Sequence, residues 1–483
     1  MSQATLSRRS LGGGALFVFA AGASSPLTVL VGGVVATYTL TGVVGVPLSF
    51  LVIMVVLGLL LVGYVAMSRH VPHSAPFYAQ LARGLNPAVG VAGAAMAFLG
   101  YNAIQISLYG LIGATVAGII GGAWWVSAAW AWAAVAVLGR FRGATNAVIL
   151  GSLLAVEIAT IVLFDIAAFT NPADGAVSVT PLMAGNLLTP GISGALAFAM
   201  AAFTGAESPP AFGEEARSSK AVLRAAYGGV TFLGVFYALS AWAYAEAVGP
   251  ARVVEAAADP DRAPLVVLGQ MYGPAVTAMA TALLVTSVLA AKVSFHATNA
   301  RYVFALARED VLPAGLARVS GGTTGGAPLG GSLVQSTVAA IVVGVFAGTG
   351  ADPMTMFVWL STIGAFSILL LLTLSSVAAR AYFTAGGGTR ESAWVRQVFP
   401  SLGAVVGVLV LVFMAGNLSS LLGTPAGSAL PWLVPALAVA AALIGLARGH
   451  WLRRTRPEVY RRLGHGAPNP LTVQDQRLSG LAV

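Results

Sequence analysis

Residues 22–26 read Gly-Ala-Ser-Ser-Pro, and residues 205–209 read Gly-Ala-Glu-Ser-Pro. Each stretch lies inside a long apolar run that would otherwise form one continuous helix. Glycine permits backbone conformations that other residues resist, whereas proline lacks an N–H group and clashes with the preceding turn. Both stretches are therefore predicted to interrupt their helices. The recurrence of nearly the same five residues indicates that the two interruptions serve one purpose.

The composition of the chain identifies the solvent in which it folds. Its 483 residues are 58% hydrophobic and only 8% charged, and the mean hydropathy is +0.87. A soluble core cannot bury so much apolar surface, so the chain needs lipid around it. The apolar runs reach the length of about 20 residues that a membrane helix requires and do not alternate as barrel strands would, which predicts an all-α membrane protein.

Twelve membrane spans are predicted along the chain. They lie at 11–42, 46–68, 87–118, 123–138, 142–169, 192–213, 225–248, 272–307, 329–348, 354–379, 398–416 and 430–447. The predicted organisation is a short segment 1–10, five spans over 11–169, five spans over 192–379, two further spans over 398–447, and a basic tail 448–483. The first apolar run is interpreted as a retained span, since no small-residue cleavage site and soluble domain follow it.

The basic residues predict how the chain is oriented. If both termini are cytoplasmic, 22 of the 25 Lys and Arg residues lie in cytoplasmic segments. Arg252 and Arg262 lie outside, and Lys292 lies within a span. This positive-inside bias predicts a multi-pass protein of the cytoplasmic membrane with both ends inside. The formal net charge of +9 then suits anionic lipid headgroups and needs no nucleic-acid partner.

The two interruptions occupy inverted positions. Residues 22–26 fall in span 1 and residues 205–209 in span 6, and an offset of five spans reverses the direction of a helix through the membrane. This arrangement predicts a five-plus-five inverted repeat with a binding site near the bilayer midplane. Half-helix amino ends attract a carboxylate, and half-helix carboxyl ends attract an ammonium or a cation, so a zwitterion fits. The alternative is a pair of packing kinks that match by coincidence.

Three stretches resemble one family of permeases. Residues 199–227, AMAAFTGAESPPAFGEEARSSKAVLRAAY, look like the sixth span of the amino acid–polyamine–organocation superfamily, and residues 294–313, SFHATNARYVFALAREDVLP, are similar to the end of its eighth span. Residues 22–34 resemble first spans of the superfamily in high-GC bacteria. The similarity covers roughly residues 11–447. It implies a leucine-transporter-type fold and a secondary transporter of amino acids or related amines, driven by protons, by sodium or by exchange.

The resemblance and the chemistry of broken helices together predict the substrate site. The backbone around the first interruption is expected to bind a carboxylate, with hydroxyls as additional donors; its residues are Ala23, Ser24 and Ser25. The second interruption matches family positions that line and gate the ligand, namely Phe203, Thr204, Gly205, Ala206 and Glu207. A carboxylate inside the membrane is costly and is functional by default. Glu207 is expected to meet a substrate ammonium, to carry a coupling proton, or to hold the broken turn.

Span 8 carries a lysine that suggests a coupling role. Lys292 lies four residues before His296, so a helix places both side chains on one face. In sodium-coupled relatives a cation site lies between spans 1 and 8, and a lysine ammonium there would replace sodium and release a proton during the cycle. Glu157 occupies the span-5 position at which related permeases carry such a lysine. The alternatives are a Lys292–Glu157 ion pair that joins helices, and a His296 that only packs.

Span 3 contributes a polar strip at helical spacing, formed by Tyr101, Asn102, Gln105 and Tyr109. Such a strip must face the interior of the bundle, where it lines the site or bonds neighbouring helices.

The predicted function is a secondary active amino-acid transporter that works by proton symport, with sodium as the alternative coupling ion. An amino acid or polyamine exchanger and a sensor that binds without transport remain open as alternatives. The chain contains no cysteine, no phosphate loop and no nucleophile–base arrangement, so neither an enzyme nor a cofactor or metal site is predicted.

Overall fold

The computed structural model of the chain describes residues 5–6, 9–320, 324–425 and 427–466. Parts of the predicted segments 1–10 and 448–483 lie outside the described residues. Within these bounds the long apolar helices follow one another with short connections. They run over Gly13–Thr41, Val46–His70, Pro87–Ile120, Trp124–Leu138, Gly143–Thr170, Ile192–Ala202, Ser219–Val248, Pro274–Arg308, Leu329–Gly348, Pro353–Thr384, Trp394–Gly416 and Leu430–Thr455, and are called spans 1 to 12 in this order.

The helices of the described residues confirm the twelve predicted spans and a multi-pass membrane protein. Ten are long and apolar enough to cross a membrane, and two, spans 4 and 6, are shorter apolar helices. Span 6 is short because its helix ends at Ala202 and only a single 3₁₀ turn, Pro209–Phe212, follows the interruption. Span 12 extends to Thr455, beyond the predicted boundary at 447. Span 8 is one unbroken helix of 35 residues, about 52 Å long, which exceeds the hydrocarbon thickness.

Short elements connect the spans. The helices are Pro76–Gly84, Ala184–Leu187, Val253–Ala258, Pro264–Tyr272, Leu418–Leu422 and Pro457–Arg462. Single 3₁₀ turns at Thr180–Leu182, Pro260–Arg262 and Ala314–Ala317 also lie between spans. Within the spans, a 3₁₀ turn at Leu430–Trp432 begins span 12, and π-helical turns occupy Val29–Val34 of span 1 and Trp394–Val398 of span 11. The two strands β1, Thr5–Leu6, and β2, Thr324–Gly326, pair in parallel, a small addition to the predicted all-helical fold.

Local chemistry explains where several spans begin. Spans 3, 8 and 10 each start with a proline, whose missing N–H is not needed in a first helical turn. Asn86, Ser218 and Asp352 precede spans 3, 7 and 10, and each side chain accepts a hydrogen bond from a backbone N–H of the first turn. These caps fix the register in which each span enters the bundle.

The start of span 1 and the segment after span 6 lie on the same side of the bundle, which is called the N-side here. The N–H of Leu11 donates to the carbonyl of Glu215 at 3.0 Å, and the N–H of Arg217 donates to the carbonyl of Leu11 at 2.8 Å. Span 1 leaves this side and span 6 arrives at it. The two interrupted helices therefore run in opposite directions, as the inverted repeat requires.

Small residues allow the spans to approach closely. In span 12, a Cβ added to Gly445 would lie 2.5 Å from the Cα of Ala92 and from the carbonyl oxygen of Val91 in span 3. Without a hydrophobic force between helices in lipid, such close van der Waals contact is a main source of helix association. Gly445 therefore helps to hold span 12 against span 3, the helix that also carries the polar strip.

We expect Gly445→Ala to lower the apparent midpoint of thermal unfolding, because overpacking a tight interface costs about 1–3 kcal/mol. Gly344→Ala in span 9 is the matched control, since nothing lies within 4 Å of an added Cβ there, and alanine is the better helix former. Unfolding followed by intrinsic fluorescence in detergent checks both variants. Equal midpoints for the two variants would contradict the packing assigned to Gly445.

Candidate substrate-binding site

The first interruption is a single left-handed residue. The helix that starts at Gly13 ends at Ser24, and Ser25 has φ 50° and ψ 74° before Pro26 begins the next turn. A residue that precedes proline is disfavoured in the helical region, which explains why the break falls at Ser25. A left-handed serine is strained, and such strain persists mainly at functional sites. This break confirms the prediction for span 1.

The amino end of the second half of span 1 is capped by a carboxylate. Glu157 Oε1 in span 5 accepts a hydrogen bond from the N–H of Leu27 at 2.5 Å, and the Glu157 side chain is buried. The hydroxyl of Ser25 lies 2.7 Å from that of Thr28 and 2.6 Å from that of Ser287 in span 8. Spans 1, 5 and 8 thus meet at a cluster of oxygen atoms around the first break.

The second interruption is wider and is held by its own glutamate. Between Ala202 and Pro209 the chain forms irregular turns, with Gly205 at φ +105°. Glu207 Oε2 accepts from the N–H of Gly205 at 2.7 Å, and Glu207 Oε1 accepts from the hydroxyl of Tyr101 in span 3 at 2.9 Å. Glu207 therefore satisfies a backbone donor that the break exposes, and it ties span 6 to span 3.

The two interruptions touch each other. A Cβ added to Gly205 would lie 2.5 Å from the Cβ of Ala23 and 3.0 Å from the ring of Phe295 in span 8. Phe203 packs on Phe50 and Tyr237, with ring centroids 6.4 and 5.7 Å away. Unwound backbone from two opposed helices is thus brought together and is enclosed by aromatic side chains from spans 2, 7 and 8.

Buried hydroxyls surround this contact without protein partners. Among the described residues, the side-chain oxygens of Thr204, Ser208 and Ser294 are buried and accept or donate no hydrogen bond. The hydroxyl of Ser294 lies 3.6 Å from where a Cβ on Gly22 would be. Buried polar groups are normally paired, so a concentration of unpaired hydroxyls next to unwound backbone is typical of a polar ligand site.

The residues of the polar strip in span 3 have two different roles. Tyr101 reaches the second interruption through Glu207, as described above. Asn102 donates to the carbonyl of Phe98 in its own helix at 2.7 Å. Gln105 donates to the hydroxyl of Tyr109 at 3.2 Å and accepts from Gln335 in span 9 at 3.0 Å. The strip therefore contributes Tyr101 to the candidate site and uses Gln105 mainly to join helices.

Lys292 faces span 3 and does not contact the first break. Its ammonium donates to the carbonyl of Gln105 at 3.3 Å and lies 2.5 Å from the ring centroid of Tyr109. The Lys292–Glu157 ion pair considered above is not formed. His296 Nε2 lies 2.8 Å from the hydroxyl of Ser332 in span 9, so His296 joins spans 8 and 9.

Several residues of the candidate site are not predicted from the sequence. Ser287, Ser294 and Phe295 of span 8 contact the breaks, but isolated serines and a phenylalanine in an apolar run carry no distinctive signal. A helical-face argument from Ser287 to Ser294, seven residues apart, would have placed both on one side of the helix. Away from the breaks, Asp165 of span 5 is buried and accepts from the hydroxyl of Ser240 at 3.0 Å.

Ion pairs lie at the N-side of the bundle. Arg301 Nε lies 2.6 Å from Glu215 Oε1 with both side chains buried, and Arg308 pairs with Glu214 through two bonds of 2.6 and 2.7 Å. Burial alone would raise the pKa of Glu214, but hydrogen bonds from Arg308 and its charge outweigh this and lower the pKa to about 2. These pairs join span 8 to the segment after span 6 at the N-side.

The C-terminal segment is docked on the same side through Glu309. The carboxylate of Glu309 accepts from the N–H groups of Gly464 and Gly466 at 2.7 and 2.8 Å and from the hydroxyl of Tyr78 at 2.7 Å. It also lies 2.8 Å from Nε2 of His73. Burial alone would raise the pKa of Glu309, but the charge of His73 and these hydrogen bonds lower it to about 2.

Because the pKa of Glu309 is lowered, its ionised form stabilises the docked segment above the ordinary value of 4.5. That contribution is lost as the pH falls towards 2.

We expect Gly205→Ala to reduce substrate uptake at least tenfold, because a side chain at φ +105° is strained and would collide with Ala23 and Phe295. Gly228→Ala is the matched control in span 7, where an added Cβ meets nothing within 4 Å. Uptake into proteoliposomes, normalised to the amount of folded protein, checks the pair. Full uptake by Gly205→Ala would show that the contact between the two breaks is dispensable.

We expect Glu309→Gln to accelerate hydrogen exchange at the amides of Gly464 and Gly466, because it removes the charge that two backbone donors share. Glu458→Gln, which changes an exposed glutamate paired with Arg461 at 3.1 Å, should leave exchange unaltered. Exchange followed by mass spectrometry at neutral pH measures both. Unchanged protection in Glu309→Gln would mean that the segment is held by its apolar contacts alone.

Comparison with known proteins places this architecture in a family. The profile of a family described as amino acid permease matches residues 11–447. No curated protein matches the chain by sequence. Among solved structures, a variant of the Eremococcus coleocola manganese transporter is 16% identical and gives a TM-score of 0.57, with 95% of this chain and 98% of that chain covered. The same transporter in complex with an aromatic bis-isothiourea substituted compound is 14% identical, with a TM-score of 0.53 and coverages of 92% and 95%.

At these identities the structural likeness concerns the fold alone. It confirms the leucine-transporter-type arrangement that the sequence predicts. The family match extends over nearly the whole length of the twelve spans. The chain is a membrane transporter and not an enzyme, and it belongs to the amino acid permease family of the amino acid–polyamine–organocation superfamily.

Proposed function

We propose that this protein moves an amino acid across the cytoplasmic membrane by proton-coupled symport with alternating access. The observation that carries the proposal is the contact between Gly205 and Ala23, where two oppositely directed breaks meet beside a buried glutamate. In the described residues no group of three or more His, Cys, Asp or Glu side chains is placed to hold a metal ion. The proposal takes an organic solute as the cargo because the matching family is described as amino acid permease.

An amino acid fits the charges of the two breaks. Its ammonium would bind the carboxylate of Glu207 and the carbonyl end of the helix that finishes at Ala202. Its carboxylate would bind at the first break, where Ser24 and Ser25 supply hydroxyls and the half-helix beginning at Pro26 presents its amino end. Ala206 and Thr204 complete the second break. Such contacts recognise the part that all amino acids share.

Glu157 provides a reason for proton coupling. Its carboxylate already accepts a hydrogen bond from the N–H of Leu27. This N–H belongs to the amino end of the second half of span 1, which would also attract a substrate carboxylate. Two carboxylates at one site repel unless one of them is protonated. Binding of the substrate therefore favours a proton on Glu157, and substrate and proton travel together. Lys292 and His296 are not needed for this step, since Lys292 faces span 3 and His296 faces span 9.

The ion-paired N-side fits one stage of an alternating-access cycle. We propose that the N-side faces the cytoplasm, because it carries arginines that the positive-inside rule assigns to the cytoplasm, among them Arg301 and Arg308. Opening the site to the cytoplasm would then require Glu214 and Glu215 to part from these arginines. Rocking of one repeat against the other around a fixed site is the general motion of such folds.

Flux into proteoliposomes tests the proposal against its alternatives. Purified protein is reconstituted, an inward proton gradient is imposed, and uptake is measured from a mixture of labelled L-amino acids. Symport predicts uptake that an uncoupler abolishes. Uptake that ignores the uncoupler but requires amino acid or amine on the far side would identify an exchanger, and uptake driven only by a sodium gradient would identify sodium coupling. Binding without any flux would identify a sensor and overturn the proposal.

We expect Glu157→Gln to uncouple transport from protons. The variant should still exchange substrate across the membrane, since the amide resembles a protonated carboxyl, but it should no longer accumulate substrate in response to a pH gradient. Asp165→Asn is the matched control, because Asp165 lies in the same helix and is equally buried, and its bond to Ser240 can be kept by an amide oxygen. Retained proton-driven accumulation in Glu157→Gln would refute this role.

A further inference from the structure

Lys292 is an ammonium without an anion. Its side chain is fully buried in span 8, and its neighbours are a backbone carbonyl and a tyrosine ring. No carboxylate of the described residues lies within 4.0 Å of its ammonium. A buried charge is normally paired, because an unpaired one costs several kcal/mol. The geometry raises the question of which anion meets this lysine.

The ammonium flanks the candidate site. Gln105, whose carbonyl it bonds, lies one helical turn along span 3 from Tyr101, which holds Glu207. Residues four apart on a helix are about 6 Å apart. Phe295, three residues after Lys292, lies against Gly205 and has its ring centroid 6.3 Å from that of Tyr101. Lys292 therefore lies between spans 3 and 8, close to the place where the two breaks meet.

Tyr109 adds a second donor at the same place. Its hydroxyl accepts from the amide of Gln105 at 3.2 Å, so its own proton points elsewhere and can be donated. The side-chain carbonyl of Gln105 is in turn occupied by Gln335 of span 9 at 3.0 Å. Lys292 of span 8 and Tyr109 of span 3 thus place an ammonium and a phenol hydroxyl side by side. Span 9 holds this pair in position through the bond of Gln335 to Gln105. A carboxylate accepts hydrogen bonds from both groups.

We propose that the substrate is an acidic amino acid, whose side-chain carboxylate pairs with Lys292 and Tyr109. This rests on the proposed function, which already assigns the ammonium of the substrate to Glu207 and its α-carboxylate to the first break. Three charges of the substrate then meet three complementary regions of the site. A neutral amino acid of the same size would leave Lys292 unpaired, so the site discriminates by charge rather than by volume.

Competition in proteoliposomes tests this assignment. Uptake of labelled L-glutamate and L-aspartate is compared with uptake of L-glutamine, L-asparagine and L-leucine. The wild-type protein should take up the acidic pair in preference. Lys292→Gln should lower the apparent affinity for glutamate ten- to a hundredfold, as expected for loss of a charged hydrogen bond, and should leave or improve the affinity for glutamine. Lys292→Arg should retain part of the preference.

Two further variants keep the test decisive. Lys220→Gln changes the only other lysine of the chain, which is exposed, and should alter nothing. Tyr109→Phe removes one hydroxyl and should lower the glutamate-to-glutamine ratio, and it serves as the test if Lys292→Gln does not fold. An unchanged ratio in both Lys292→Gln and Tyr109→Phe overturns the inference, as does a loss of uptake that is equal for every amino acid.

The possible failures are distinguishable. Uptake of neutral amino acids alone by the wild-type protein contradicts the inference about acidic substrates and leaves the proposed function standing. Absence of uptake and of exchange for all amino acids contradicts the proposed function itself. A Lys292 that served coupling would change the pH dependence for every substrate and would not change the order of preference among them.

Discussion

The need to pair backbone N–H and C=O groups inside the bilayer governs this protein. A continuous helix satisfies them internally, and any break must find other partners. Here the two breaks find them in carboxylates: Glu157 accepts from Leu27, and Glu207 accepts from Gly205. Because the breaks also touch through Gly205 and Ala23, both carboxylates are drawn to the centre of the bundle, where a charged solute would compete with them or complement them.

This arrangement connects the two breaks with helices of both repeats. The oxygen cluster at Ser25 and Ser287 joins spans 1, 5 and 8, and the bond between Tyr101 and Glu207 joins spans 3 and 6. A ligand that changed the charge or the bonding at either break would therefore act on helices from both repeats. Away from the centre, the paired arginines of span 8 and the docked segment around Glu309 join elements at the N-side. Span 8 therefore takes part both in the oxygen cluster at the first break and in the ion pairs at the N-side.

Local chemistry made the fold readable in the sequence. Span lengths follow from apolar runs, and the breaks at Ser25 and Gly205 follow from glycine and proline, which act over a few residues. The sequence does not predict which distant side chains meet in the folded protein. The sequence predicts Lys292 near span 1, yet Lys292 faces Tyr109, because the direction of one side chain on a long buried helix depends on how that helix is rotated. The pairing of Glu157 with Leu27 likewise joins residues 130 positions apart, and no local pattern predicts it.

The central claim is that the solute binds where the two breaks meet. The chain contains no cysteine, so a single cysteine at Thr204, beside Gly205 and Glu207, reports on that place alone. Its rate of alkylation in proteoliposomes, measured with and without a mixture of L-amino acids, is the most direct test. The account predicts that the mixture slows alkylation severalfold, since the bound solute covers the second break. Equal rates under both conditions, in a variant that still transports, would contradict it.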